Sequence, residues 1–343
     1  MPQHLELGLD TFGDVTAGPD GILLSQAQVI RNVIAEAVLA DGIGIDFFGI
    51  GEHHRADFAI SAPEIVLAAI ASHTRRIRIG TAVTVLSSDD PIRVFQRFST
   101  LDAIADGRAE IILGRGSFTE SFPLFGYALS DYEKLFEEKL DLFAALISQE
   151  AVTWQGRLRP PLDKQRVFPT IENGTLKTWI GVGGSPESVL RAARRSMPLM
   201  LAIIGGAPHR FKTYADLYRR TLEELGKPAL PIGVHSPGYV AATDEQAREE
   251  FWPDYKRMRD LIGAERGWPP MQRREFDQEA DFGSLYIGSP ETVARKIAAT
   301  ARALGLSRFD LKYSAGPLSH EKLMQCITLY GETVVPLVRE MLA

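Results

Sequence analysis

The sequence predicts an α/β fold, a (β/α)8 TIM barrel, built as one domain over residues 1–343. Three observations carry that prediction. Eight short apolar runs without helical periodicity alternate with amphipathic helical stretches. Near-continuous apolar runs of this length suit strands buried on both faces, as in parallel sheets. The first run leads into "TFGDVTAGPDG", whereas a doubly wound open sheet normally carries a glycine-rich dinucleotide turn there. Eight βα units in one chain close most economically into a barrel.

In chain order, the first strand is "LELGLD" (5–10). Its helix "SQAQVIRNVIAEAVLADG" opens on Ser25 as N-cap and stops at Asp41-Gly42. "IDFFGI" (45–50) precedes "APEIVLAAIASHT", with Pro63 in the first turn. "IRIGTAVTVL" (77–86) precedes "PIRVFQRFSTLDAIADG", and Asp89-Asp90 before Pro91 read as a helix cap rather than a catalytic pair. "RAEIILG" (108–114) is followed by "DYEKLFEEKLDLFAALIS", and "TWIGVG" (178–183) by "SPESVLRAARRS". "PLMLAII" (198–204) leads to "HRFKTYADLYRRTLEEL". "PIGVHSPGYVA" (231–241) leads, after an insertion, to "SPETVARKIAATARAL". "RFDLKYS" (308–314) leads to the last helical stretch, "SHEKLMQCITLYGETVVPLVRE". Asp46 and Asp310 sit near strand beginnings and read as structural, and His4 as solvated.

Two segments break the alternation. Residues 150–177, rich in Pro and Gly, read as a long loop with a small hairpin. Residues 243–289 read as a helical stretch followed by "GWPPMQRREFDQEADFGS". Insertions of this length tend to shape an active-site mouth.

Bulk properties remove several function classes. The net charge of −6 leaves no basic field for nucleic acid or anionic lipid. No apolar run approaches the roughly 20 residues that span a bilayer, and "MPQHLELGLD" lacks the pattern of a signal peptide. The single cysteine, Cys326, lies in a helical pattern and reads as a core hydrophobe. A cytoplasmic protein is expected.

Chemistry should collect where barrel strands end. Glu52, His53 and His54 follow the second strand. Imidazole can donate, accept or shuttle a proton near neutral pH. A solvated loop is the alternative, and adjacent histidines diverge too far for good zinc spacing, so no metal is expected. After the fifth strand, Val182, Gly183 and Gly184 run into Ser185, Pro186 and Ser188. Free N–H groups and a helix dipole there suit an anion such as phosphate, although an ordinary βα turn has the same look. "IGSPETVARK" repeats the pattern later in the chain. Arg115, between two glycines after the fourth strand, could clamp phosphate or a carboxylate, or pair with Glu120 or another loop acid. Gly80, Thr81 and Ala82 offer a small-residue wall for a flat ring. Pocket walls are expected from His235, Ser236, Tyr313 and Ser314, and from the 243–289 insertion.

Taken together, "GIDFFGIGEHH", "RIRIGTAVTVLSSDDPIRVFQ", "FSTLDAIADGRAEIILGRG", "FPLFGY" and "WIGVGGSPESVLRAARRSMPLML" resemble the bacterial luciferase-like monooxygenase family, flavin-utilising (β/α)8 barrels. The resemblance covers most of the chain and is strongest over 37–127 and 178–204. It implies a cytoplasmic enzyme that uses reduced FMN, supplied by a separate flavin reductase, and O2. A flavin C4a-hydroperoxide would oxygenate a small organic substrate, and the protein would be a homodimer. It implies catalytic roles for His53, as proton-transfer group, and for its neighbour Glu52. The non-prolyl cis peptide Ala82-Val83, beside Thr81, would lie against the isoalloxazine. Arg115, Val182, Gly183, Gly184, Ser185 and Ser188 would hold the phosphate. Phe47 and Phe48 would pack below His53, and His54 would orient the loop or meet solvent. A deazaflavin-dependent hydride-transfer enzyme of the same superfamily, or a non-catalytic flavin-binding subunit, is the alternative. The chain departs from the luciferase pattern at Gly114 (a cysteine there), Phe118 (a tyrosine), Gly184 (an acid) and Glu133, beside Lys134, where an arginine binds phosphate. An acid at 133 repels phosphate unless it points away.

Overall fold

The computed structural model describes residues 5–148, 151–172 and 174–343, so His4 lies outside the described residues. The eight expected strands close into one parallel barrel. They are β1 (Glu6–Thr11), β2 (Phe47–Ile50), β3 (Arg78–Thr81), β4 (Ala109–Gly114), β5 (Lys177–Val182), β6 (Leu199–Ala202), β7 (Ile232–Val240) and β8 (Arg308–Lys312). β8 returns to β1 with Arg308 opposite Glu6, which completes the ring. Ser25, Asp90, Ser185, Ser289 and Ser319 each accept a first-turn backbone N–H, so every one starts its helix.

Successive strand residues point to opposite faces, and the two faces differ in chemistry. Leu7, Leu9, Phe48, Ile79, Ile111, Leu113, Leu201, Phe309 and Leu311 pack outward against the helices in one large apolar cluster. Inside the barrel, Ile112, Trp179 and Met200 form a separate small cluster on which Ala82 and Val83 rest. Phe47, glycines and charges occupy further inward positions. A Cβ on Gly80 would stand 2.5 Å from the Glu110 carbonyl oxygen, and one on Gly8 would stand 2.1 Å from Asp310 Oδ1. Only glycine leaves room for those groups.

The floor of the barrel is ionic. Arg308, fully buried, donates from Nε to both Asp310 oxygens at 2.9 Å and from Nη1 to Glu110 at 2.6 Å. Trp179 Nε1–H donates to the same Glu110 oxygen at 2.9 Å, and Arg78 and Lys177 complete the shell. Asp46 accepts the Leu7 N–H at 2.8 Å and pairs with Arg339, a structural role as expected.

The 150–177 loop carries the expected hairpin, Val152–Trp154 against Leu162–Gln165. The 243–289 insertion is more regular than the sequence suggests. After helix Asp244–Arg266 comes a second helix, Arg273–Phe282, and a strand, Tyr286–Gly288, parallel to the far end of β7. The second helix buries only Phe276 and Ala280, so charges outnumber its apolar stripe and mask the period. Cys326 is buried and accepts the Val240 N–H at 3.3 Å, and burial pushes its thiol up to about 12. Among the described residues, no helix is long and apolar enough to cross a membrane, and no group of acids, histidines or cysteine has the arrangement of a metal site.

Candidate active site

His53 sits at the C-terminal mouth of the barrel, anchored by its backbone N–H to the Ile60 carbonyl at 3.0 Å. Its ring stacks on Phe58 with centroids 4.4 Å apart, leans on Phe12 at 4.7 Å and meets the edge of Phe118 at 5.0 Å. Phe47 and Phe48 do not lie beneath it. Phe47 turns into the barrel floor, with the Arg308 guanidinium carbon 3.3 Å from its ring centroid, whereas Phe48 faces outward toward Tyr313. The alternation of the strand separates the two phenylalanines, and the aromatic wall comes from loops instead. Burial pushes the His53 imidazole down to about 3; Asp14 opposes this, and Lys312, Arg55 and His54 reinforce it. The ring is therefore neutral at physiological pH. Among the described residues its nitrogens have no hydrogen-bond partner, so both are free for a ligand or substrate.

Glu52 is committed to the loop. One carboxylate oxygen accepts the Val85 N–H at 2.9 Å, and the other meets His54 Nε2 at 2.9 Å. His54 packs against Phe125, so it orients the loop. The Glu52 contact ties the His53 loop to the chain that leaves the Ala82–Val83 peptide, which is cis. Thr84 Oγ1 donates to Thr81 Oγ1 at 2.9 Å across the same bend. Glycine at 114 has a physical reason. A Cβ there would lie 2.5 Å from Val83 Cγ2. Gly114→Ala is expected to displace Val83 and to destabilise the fold by about 1–3 kcal/mol, read as a lower urea midpoint.

The turn after β5 forms a cradle. Ser185 Oγ accepts the Ser188 N–H at 3.3 Å, and the helix Pro186–Arg194 follows. Gly184 holds φ +117°, which suits glycine, and nothing lies within 4 Å of where a Cβ on Gly183 would point. Arg191, which sequence reasoning does not single out, donates from Nη1 to Ser188 Oγ at 3.0 Å. A signal for it exists: three residues past Ser188, it shares that helix face. Arg115 pairs with Glu133, not Glu120, because Glu120 is held by Arg55 at 2.6 Å. Glu133 also lies 3.5 Å from Arg191. The acid that would repel phosphate thus sits between two arginines, with its side chain 57% exposed and free to swing out. Lys134 turns away to Asp131.

The repeated "GSPE" motif makes an internal control. At the second copy, Asp244 accepts the Ser289 N–H at 2.6 Å and the Thr292 hydroxyl at 2.9 Å. A chain carboxylate already fills that helix N-terminus. At the first copy a chain carboxylate is also present, since the Ser185 hydroxyl donates to Glu187 at 2.8 Å, but the Gly184 and Ser185 N–H groups have no protein acceptor among the described residues. Those two open N–H groups make the first copy the better of the two for an outside anion.

Of the expected pocket walls, His235 faces inward, bound through Nδ1 to Asp10 at 2.6 Å. Ser314 joins a buried cluster with Thr11, Asp14 and Lys312. Tyr313 does not line the pocket, since its hydroxyl donates outward to Glu36 at 2.5 Å, and Ser236 bonds the Ile203 carbonyl. The insertion does reach the mouth. Arg55 forms a two-pronged bridge with Glu265 at 2.7 Å, and Arg55 and Arg266 each lie 4.9 Å from the Phe118 ring centroid.

Comparison with known proteins agrees with this architecture. The family model described as luciferase-like monooxygenase matches residues 11–308. 4-Hydroxyprotoasukamycin monooxygenase from Streptomyces nodosus subsp. asukaensis is 36% identical over 278 residues, covering 77% of this chain and 75% of its own. Among solved structures, monooxygenase RslO1 from Streptomyces bottropensis superimposes with a TM-score of 0.85 at 23% identity, covering 97% of this chain and 99% of its own. The oxygenating constituent of 3,6-diketocamphane monooxygenase from Pseudomonas putida, in complex with FMN, gives 0.76 at 20% identity, covering 97% and 98%. The coenzyme F420-dependent tetrahydromethanopterin reductase of Methanopyrus kandleri gives 0.71 at 16%, covering 97% and 99%. The chain belongs to the luciferase-like monooxygenase family, a family of oxidoreductases.

Proposed function

We propose that this protein is a monooxygenase that uses reduced FMN and O2 to oxygenate a small organic substrate. The observation that carries this reading is His53, a neutral imidazole with free nitrogens, enclosed by Phe12, Phe58 and Phe118 at the barrel mouth. Such a site keeps water out and controls proton transfer. The bound flavin supplies the activation of O2.

The residues present fit that cofactor. Ser185, Ser188 and the open N–H groups of Gly184 and Ser185 would receive the phosphate, flanked by Arg115 and Arg191. Val182 and Gly183 would let the tail approach the strand end. Thr81, Ala82 and Val83 would lie against the ring. His53 would hold or pass the proton, and Glu52 would position its loop. A separate flavin reductase, a homodimer and a cytoplasmic location complete the proposal.

The test is anaerobic titration with reduced FMN, then admission of O2 and observation of the transient absorbance that follows. Tight binding with a slowly decaying transient supports the reading. Absence of both sinks it and moves attention to a deazaflavin. For the phosphate site, Arg191→Met is expected to weaken FMN binding by about 10–100-fold relative to riboflavin, the size of a lost charge-assisted hydrogen bond. Glu133→Gln is expected to strengthen it. Quenching of flavin fluorescence measures both.

A further inference from the structure

Beneath Phe12 lies a second imidazole that the proposed role of His53 does not use. His235, on β7, is gripped through Nδ1 by Asp10 of β1 at 2.6 Å. Its ring lies nearly parallel to Phe12, with 15° between planes and centroids 5.9 Å apart. Phe12 touches His53 with its own ring, so the two histidines sit a single side chain apart at one barrel mouth. Two polar atoms of this dyad are unclaimed. Asp10 is fully buried, yet its Oδ1 has no partner. His235 Nε2 has no protein partner among the described residues, and the side chain keeps 11% exposure.

The geometry points to His235, oriented by Asp10, as a substrate-binding residue that donates a hydrogen bond from Nε2 to an oxygen of the organic substrate. The substrate class follows: a phenol, enol or carbonyl compound, not a plain hydrocarbon. The inference rests on the monooxygenase reading and adds the polar anchor that reading lacks.

The charges around His235 agree. Burial opposes a positive ring, but Asp10, by charge and by hydrogen bond, and Asp310 outweigh it and raise the imidazole above its ordinary value. Lys312 works against them. Lys312 itself is spent on Asp14 at 3.0 Å and on Ser314. His235 is therefore the imidazole at the mouth whose surroundings favour the protonated form, beside a His53 whose surroundings disfavour it. A buried donor that must be satisfied discriminates strongly against a ligand without an acceptor.

The test uses 4-nitrophenol and its deoxy counterpart nitrobenzene as probes, followed by difference spectroscopy in the full-length protein. The wild type is expected to prefer 4-nitrophenol by about tenfold or more, and to hold it ionised at a pH where the free probe is neutral. His235→Leu should abolish the preference. His235→Gln, which keeps an N–H donor, should retain part of the preference without the ionisation shift. Asp10→Asn should reverse that shift. Thermal melting and FMN fluorescence quenching are measured on each variant. Equal affinity for the two probes, no binding of either, or a preference that survives in folded His235→Leu overturns the inference. Because FMN binding is scored separately, a protein that rejects FMN sinks the cofactor reading instead.

Discussion

His53→Ala is expected to lower turnover by about 10²–10⁴-fold, the usual contribution of a positioned proton-transfer group, with FMN affinity little changed. The phosphate cradle is built from other elements, around Ser185 and Arg191. Hydrogen peroxide released per flavin oxidised should rise in the variant, since the cavity left by the ring admits water among Phe12, Phe58 and Phe118. Oxygen uptake measured with peroxide yield separates lost chemistry from lost binding. The pH dependence has a definite sign. The folded His53 value of about 3 lies below the ordinary 6.5, so the unfolded chain binds the extra proton between them. The stability associated with neutral His53 is complete above 6.5 and is lost as pH falls toward 3. His53→Phe, which fills the same space without titrating, should flatten that acid loss in thermal melts taken between those limits. Activity near neutrality should show no inflection from His53, because its titration lies far below.

Much of the fold and part of the site are legible in the amino-acid sequence, for a physical reason. All eight barrel strands stand out because both their faces are buried, which leaves a continuous apolar run. Ser25, Asp90 and Ser185 announce their helices because a cap is a local event written in adjacent residues. Glu52, His53, Arg115 and the 182–188 turn all come to the barrel mouth, because strand ends are fixed by topology. What stays hidden depends on pairing across the fold. Nothing in "LELGLD" says that Asp10 meets His235, 225 positions away. Nothing near Arg115 says that Glu133 will take it. Phe12 sits in a stretch that reads as a loop, yet it touches both histidines. Phe47 and Tyr313 depart from expectation because proximity in sequence to a site counts for less than the strand's two-residue alternation, which points Phe47 at the floor and Tyr313 outward.

The charged floor supports the second large effect. Arg308→Met is expected to cost about 3–5 kcal/mol, because it strands the buried Asp310 carboxylate and leaves buried Glu110 to Arg78, Lys177 and Trp179 alone. In the wild type, burial works to raise Glu110, but Arg308, Lys177 and Arg78 prevail and hold it near 2. That depressed value is a stabilising contribution, present above the ordinary carboxylate range and lost as pH falls through 2. Asp310 differs: burial raises it to about 6 despite Arg308. Removing Arg308 lets Asp310 rise further and relieves Glu110 of its strongest opposing charge. Asp310 then binds a proton more readily folded than unfolded over a wider pH range, so the variant gains more stability than the wild type as pH falls from 8 to 5. The deficit in urea midpoint should therefore be larger at pH 8 than at pH 5. A deficit independent of pH would mean that the loss is packing against Phe47 and Trp179, whose rings flank the guanidinium at 3.3 and 5.2 Å, rather than uncompensated charge. The methionine retains a flexible apolar side chain for those rings, so the electrostatic component should dominate. The floor charges and the inward glycines are then one arrangement: without a Cβ at Gly8, Asp310 can turn inward and, with Glu110, meet a single arginine, while Gly80 leaves room for the Glu110 main chain.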